Sequence, residues 1–228
     1  MTSSTECPDP PVAVGARLAV EEQIVASRVV AILRLRDQSR AVDLCRALAD
    51  GGITVMEITM GHPEALKSLE RARHALGPAV LLGAGTVTDT TTVSQVAAAG
   101  ASFCVAPNLD AEVVTAAQGL GLLPVPGVLS PTEVVAAKRL GLRLLKLFPA
   151  GPVGTGYLQA LKGPLPDVGF IAVGGVEIED VPEWLSAGAV AVGLGGELLP
   201  RALRQAHAWD QISHNASELL GKLREKQA

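Results

Sequence analysis

The sequence predicts an α/β protein, a (β/α)8 TIM barrel with one extra N-terminal helix. The chain has 228 residues, 48% of them hydrophobic, and its short apolar runs alternate with alanine-rich amphipathic stretches. Such alternation is typical of βαβ units in a parallel sheet. A length of about 200 to 250 residues suits a barrel formed by a single domain. We therefore expect one barrel domain over residues 15–228, after a flexible tail of residues 1–14.

The apolar runs are the predicted strands. They recur about every 20 to 25 residues, as expected for a βα repeat. In chain order they cover 28–35, 53–60, 79–86, 101–107, 122–127, 142–149, 169–175 and 189–196. A doubly wound open sheet is the alternative. No GxGxxG motif follows the first run, and the runs are nearly equal in length and spacing, which favours the barrel.

The stretches between the runs are the predicted helices. In SRAVDLCRALADGG (39–52) the apolar residues recur at helical spacing, and a glycine pair stands where the chain must turn back into the sheet. We expect the extra helix at Ala16–Ala26, ahead of the barrel, and a final helix at Asp210–Lys226.

Composition and charge exclude several classes of partner. The net charge is −4, without basic runs, so the chain lacks the positive surface typical of proteins that bind nucleic acids or anionic membranes. No apolar run approaches the roughly 18 residues of a membrane helix. Cys7, Cys45 and Cys104 are far apart and form no CxxC motif, so neither disulfides nor a zinc site are expected. We expect a cytoplasmic protein with a small-molecule partner.

Charged residues interrupt three of the predicted strands, and one of them, Arg143, lies near the entry of the sixth run, where we expect it to be solvated. Parallel strands covered on both faces are almost purely apolar, yet Arg34, Glu57 and Lys146 lie toward the C-terminal ends of the first, second and sixth runs. That end of a (β/α)8 barrel carries the active site. A structural ion pair of Glu57 with Lys146 or Arg34 is the alternative, but buried ion pairs stabilise proteins only weakly compared with apolar packing.

Lys146 is the predicted nucleophile. It lies in LRLLKLFPA (142–150), and strand alternation places it on the same face as Leu144 and Phe148. Burial in such a pocket disfavours the ammonium form and leaves an amine nearer neutral pH. An amine of this kind attacks a ketone to form a Schiff base.

The other strand-end residues suit the same chemistry. Cleavage of a carbon–carbon bond next to an iminium requires a proton shuttle, and Glu57 is the carboxyl among the strands that can serve as acid and base. Arg34 is the predicted cation for a substrate carboxylate. Thr59, Thr86 and Pro107 stand at strand ends and are expected to line the same mouth.

Glycine pairs end the last two strands, in AVGGV (172–176) and GLGGE (193–197). In this architecture a phosphate often binds between these two loops, held by backbone N–H groups. We predict phosphate contacts at Gly174, Gly175, Gly195 and Gly196, with tight turns as the alternative explanation. No cluster of metal ligands is visible in the sequence, and a lysine mechanism needs no metal or other cofactor.

With these residues in place, the chain resembles the class I aldolases that cleave 2-keto-3-deoxy-6-phosphogluconate (KDPG), together with their 2-keto-3-deoxy-6-phosphogalactonate (KDPGal) and 4-hydroxy-2-oxoglutarate (KHG) relatives. The resemblance runs from about residue 24 to residue 200. Eight motifs carry it, in order: VVAILR (29–34), GGITVMEIT (51–59), GAGTV (83–87), CVAPNLD (104–110), PVPGVLSPTE (124–133), LKLFPA (145–150), ALKGPLP (160–166) and AVGGV (172–176).

The resemblance implies a homotrimeric barrel enzyme, free of metal, that cleaves a keto acid, here KDPG, to pyruvate and D-glyceraldehyde 3-phosphate. By position, Lys146 is similar to the Schiff-base lysine, Glu57 to the general acid/base and Arg34 to a carboxylate-binding arginine. The same correspondence assigns pyruvate-pocket residues at Thr86, Pro107 and Phe148, and phosphate-binding residues at Gly174 and Gly175.

Three positions depart from the commonest family pattern. Some members have arginine at Gly61, so carboxylate binding here falls on Arg34 alone. Many have serine at Gly196, whose hydroxyl would bind the substrate phosphate. Some have threonine at Val173, and the valine, with the missing arginine, favours the KDPGal relatives. KDPGal and KHG therefore remain alternative substrates, and a barrel that binds phosphosugars without catalysis and a metal-dependent lyase remain rival functions.

Overall fold

Strands and helices alternate along the chain in the computed structural model, which describes residues 11–225. In this part the strands are β1 Val29–Leu33, β2 Val55–Thr59, β3 Leu81–Gly85, β4 Phe103–Val105, β5 Leu123–Val125, β6 Gly127–Val128, β7 Leu144–Leu147, β8 Gly169–Val173 and β9 Ala191–Leu194. The α-helices are α1 Pro11–Ser27, α2 Ala41–Asp50, α3 Ala65–Leu76, α4 Thr90–Ala98, α5 Ala111–Gly119, α6 Pro131–Arg139, α7 Gly154–Lys162, α8 Val181–Ser186, α9 Arg201–Gln205 and α10 Trp209–Glu225. Short 3-10 helices at Gln38–Arg40 and Gly77–Ala79 precede α2 and β3.

The sheet closes into the predicted barrel. Every strand pair is parallel, and β1 lies between β2 and β9, so the first and last strands are neighbours. The strand order ends on β5 and β6, which are consecutive in the chain and separated by Pro126. Proline has no N–H to donate to the sheet, which divides the predicted fifth run in two. The Pro126 carbonyl accepts the backbone N–H of Lys146 at 2.9 Å, joining β7 to this junction. The doubly wound alternative is wrong.

The extra N-terminal helix is present and longer than predicted. It begins at Pro11 instead of Ala16, because proline is well tolerated in the first turn of a helix. The last four residues of the predicted tail therefore belong to α1, and the rest of the tail lies outside the described residues. The final helix ends at Glu225, and Lys226 also lies outside them.

Apolar side chains form two layers, as the alternation along each strand requires. One layer fills the space between the strands and the outer helices, and the other fills the barrel interior. Ile24 of α1 is 1% exposed and packs in the interior layer with Val30, Val55 and Leu81, near the starts of their strands. Helix α1 therefore covers the N-terminal end of the barrel, and the mouth lies at the C-terminal end.

Candidate active site

Lys146 lies in β7 and faces the barrel interior. Its neighbours in phase, Leu144 and Phe148, belong to the interior layer, as strand alternation predicts. The residue is 8% exposed, and its Nζ lies 4.5 Å from the centroid of the Phe148 ring. Burial lowers the pKa of Lys146, the charge of Arg34 lowers it further, and the charge of Glu57 acts in the opposite direction. The ring face of Phe148 also favours the ammonium form, so the pocket makes proton loss easier without abolishing the charge.

Glu57 lies in β2 and is 3% exposed. Burial raises its pKa, and the charges of Lys146 and Arg34 partly offset this effect. Opposite shifts of an acid and a base in one pocket bring their pKa values closer together, which favours proton exchange between them and a substrate.

Arg34 directly follows β1 and is exposed at the barrel mouth. Its charge acts on both Glu57 and Lys146, so the structure brings the three predicted residues into one electrostatic neighbourhood. Among the ion pairs of the described residues, none joins Glu57 to Lys146 or Arg34. Glu57 and Lys146 thus act on each other through their charges without a direct ion pair.

The remaining predicted pocket residues lie at the same end of the barrel. Thr59 is buried at the end of β2, and its hydroxyl donates a long hydrogen bond, 3.4 Å, to the carbonyl of Leu33. Thr86 follows β3 with φ of +60°, a conformation that is costly for a β-branched residue and often marks a functional position. The carbonyl of Pro107 packs against Gly127, which pairs in register with Lys146.

The glycine loops adjoin the lysine pocket. Gly174 and Gly175 follow β8 with φ of +88° and +73°, so this turn requires glycine at both positions. A Cβ at Gly174 would lie 2.9 Å from the Phe148 ring, so the loop rests on the ring that borders Lys146. Gly195 and Gly196 follow β9, the neighbour of β8. No atom of the described chain lies within 4 Å of a Cβ built at Gly196, so this position faces open space.

Two glycines of β3 were not among the residues predicted for the site. Gly83 pairs in register with Glu57, and Gly85 leaves the space that the Glu57 carboxyl occupies. The sequence could have indicated them, because Gly83 and Gly85 are two positions apart and therefore lie on the same face of the strand. By contrast His62, which follows β2 at the mouth, accepts a hydrogen bond from the backbone of Glu64 and shapes the local turn.

Other reactive groups of the described residues do not form a second site. Cys45 and Cys104 are buried free thiols, and burial raises the pKa of each to about 12. Within residues 11–225, no group of three or more His, Cys, Asp or Glu side chains is arranged to hold a metal ion. The same part of the chain has no helix that is both long and apolar enough to cross a membrane.

Comparison with known proteins agrees with this geometry. The sequence profile of the family described as KDPG and KHG aldolase matches residues 20–215. The chain belongs to this aldolase family. The aldolase is 36% identical to the 2-dehydro-3-deoxy-6-phosphogalactonate aldolase of Escherichia coli K12, over 75% of its own length and 83% of the relative. It is 34% identical to the 2-dehydro-3-deoxy-phosphogluconate aldolase of Pseudoalteromonas atlantica, over 83% and 88% of the two chains.

One solved relative was captured with a covalently bound intermediate. The KDPG aldolase of Legionella pneumophila, captured with pyruvate as a covalent carbinolamine, is 32% identical, with a TM-score of 0.82 over 89% of the aldolase and 97% of that chain. The family resemblance and the barrel are thus confirmed, and the protein is a carbon–carbon lyase.

Proposed function

We propose that this aldolase is a class I enzyme that cleaves KDPG to pyruvate and D-glyceraldehyde 3-phosphate, with Lys146 as nucleophile and Glu57 as proton shuttle. The observation that carries the proposal is the opposite pKa shifts of Lys146 and Glu57 in one pocket. A lysine whose pKa is lowered and a glutamate whose pKa is raised face the same barrel mouth, and each influences the charge of the other.

The first step is attack of the neutral Lys146 amine on the C2 ketone, which gives a carbinolamine. Glu57 in its acid form gives a proton to the carbinolamine hydroxyl, which leaves as water and produces an iminium. Burial supports both roles, because it disfavours the ammonium of Lys146 and the carboxylate of Glu57 in the free site.

Carbon–carbon cleavage follows. The Glu57 carboxylate takes the proton of the C4 hydroxyl, the C3–C4 bond breaks, and its electron pair moves toward the iminium nitrogen to give an enamine and the aldehyde. Glu57 then returns the proton to C3 of the enamine. Water hydrolyses the resulting iminium, releasing pyruvate and the Lys146 amine.

The carboxylate of the keto acid would bind Arg34, the cation at the mouth beside both catalytic side chains. Thr86, Pro107 and Phe148 would line the pyruvate pocket. Thr59 would line it from β2, where its hydroxyl already contacts the backbone of β1.

The substrate phosphate would bind the backbone N–H groups of Gly174, Gly175, Gly195 and Gly196. The contact between Gly174 and the Phe148 ring supports this placement, because it sets the glycine loop beside the pocket of Lys146. Binding through backbone dipoles, without a hydroxyl at Gly196, predicts modest phosphate affinity.

KDPGal, which differs from KDPG in configuration at C4, is the second candidate substrate. Val173 favours it: this residue is buried at the end of β8, next to the glycine loop, and presents two methyl groups where some family members have a threonine hydroxyl. The identity to the E. coli phosphogalactonate enzyme points the same way.

The test is a panel of KDPG, KDPGal and KHG, with pyruvate release followed through lactate dehydrogenase. We expect the highest kcat/KM for KDPG. A higher kcat/KM for KDPGal than for KDPG would identify KDPGal as the substrate. A kcat/KM for KHG equal to that for KDPG would show that the enzyme does not recognise the substrate phosphate. Absence of pyruvate from all three would overturn it. Activity in the presence of EDTA would exclude the metal-dependent rival.

We further propose that the enzyme is a cytoplasmic homotrimer. The family resemblance supports the trimer, and two partly exposed apolar residues, Leu129 and Val135 near α6, offer contact area for another copy. Light scattering after size exclusion should give three times the chain mass of 23.4 kDa. A mass of one chain would contradict it.

A further inference from the structure

Strand β3 presents no side chain to the barrel interior beside Glu57. Leu81, at the start of β3, belongs to the interior layer, whereas Leu82 and Ala84 belong to the outer layer. Gly83 and Gly85 are therefore in phase with Leu81 and face inward. The parallel register pairs Glu57 with Gly83, and Thr59 with Gly85.

The two glycines leave space for different groups. A Cβ at Gly83 would overlap the ring of Phe103, so that ring fills the first space. A Cβ at Gly85 would overlap the Glu57 carboxyl and lie only 2.7 Å from its Cγ, so the end of the glutamate side chain fills the second. The space at Gly83 is already occupied, which limits where the carboxyl can move.

The backbone at Gly85 is paired with strands on both sides, with Thr59 of β2 and Val105 of β4. Its carbonyl accepts the N–H of Met60 at 2.8 Å, and the next residue is Thr86 in its left-handed conformation. The φ of Gly85 itself is not in the left-handed region, so its conformation does not require glycine. The three atoms nearest to a Cβ built at Gly85 all belong to the Glu57 side chain, so the need for glycine comes from that side chain.

We propose that Gly85 is a positioning residue for the proton shuttle: its missing Cβ gives the Glu57 carboxyl the place from which it exchanges protons with the substrate. This inference depends on the proposed role of Glu57. Glycine within a strand is less stable than alanine, because it loses more conformational freedom on folding. A displacement of about 1 Å can slow a catalysed step about 100-fold. Glycine at position 85 therefore lowers the stability of the strand but favours catalysis.

The test is Gly85→Ala, with Gly61→Ala as the matched control. Gly61 lies at the same end of the neighbouring βα unit, and no atom lies within 4 Å of a Cβ built there. The readout is exchange of the pyruvate C3 hydrogens with D2O by NMR, which needs the lysine and the proton shuttle but no sugar phosphate. We expect Gly85→Ala to slow the exchange by about 10- to 100-fold at saturating pyruvate, with KM changed less than about threefold. Gly61→Ala should stay within about twofold of the parent.

A double-mutant cycle separates positioning from a general structural effect. In the Glu57→Gln background, Gly85→Ala should cause no further loss, because the carboxyl that it displaces is already gone. An equal loss in both backgrounds, or normal exchange by Gly85→Ala alone, would overturn the inference. Failure of Gly85→Ala to fold would do the same, because it would show that the glycine is needed for the fold and not for the position of the carboxyl.

If the parent enzyme gave exchange while no sugar acid in the panel was cleaved, the proposed substrate would fail and the role of Gly85 would stand.

Discussion

Substitution of Gly196 by serine should improve recognition of a phosphorylated substrate. A Cβ at this position meets no atom within 4 Å, and the backbone φ lies outside the left-handed region, so the side chain should be accommodated without rearrangement. The new hydroxyl can donate to the substrate phosphate. A hydrogen bond to a charged group contributes about 1.5 to 3 kcal/mol. At the lower value, kcat/KM for KDPG should rise about tenfold, mainly through a lower KM.

Gly196→Ala is the control, because it adds the same Cβ without a hydroxyl. The assay compares kcat/KM for KDPG and for KHG, which has no phosphate, in the parent and both variants. We expect the gain only for Gly196→Ser with KDPG. If serine and alanine gave equal values, or if KHG gained as much as KDPG, the phosphate would not bind at this loop.

The remaining predictions concern the charged residues. Glu57→Gln should lower kcat about 10²- to 10⁴-fold. Burial raises the pKa of Glu57 above the ordinary value of a glutamate. Its burial therefore lowers the stability of the fold increasingly as pH rises from that ordinary value through the folded pKa, and Glu57→Gln should melt at a higher temperature than the parent at pH 7 but not at pH 4. A lower melting temperature at pH 7 would contradict that sign. Arg34→Met should raise KM for pyruvate in the exchange assay by about 10- to 100-fold, the loss of one charged hydrogen bond. An unchanged KM would remove Arg34 from the carboxylate site.

Periodicity along single strands was enough to predict the interior-facing charges. Lys146 and Glu57 each break an apolar run, and alternation assigned Lys146 to the face of Leu144 and Phe148, as the interior layer confirms. The same periodicity could not foresee that Pro126 divides the fifth run, because a missing N–H matters only once the neighbouring strand is known.

Contacts between elements that are distant in the chain could not be predicted from the sequence. The place of Gly85 beside Glu57 depends on the register of β2 with β3, and the contact of Gly174 with the Phe148 ring depends on the packing of two loops. Periodicity fixes a face for each residue but not its partner across the barrel. The closure of the N-terminal end by Ile24 of α1 likewise follows only from the folded chain.

Reductive trapping tests the central claim most directly. The enzyme is incubated with pyruvate and sodium borohydride, and the digested protein is analysed by mass spectrometry. We predict one three-carbon adduct per chain, on the peptide that contains Lys146, and none in Lys146→Met. The partly exposed Lys138, which pairs with Asp167, serves as the internal control and should stay unmodified. An unmodified Lys146, or a stoichiometric adduct on another lysine, would contradict the Schiff-base mechanism.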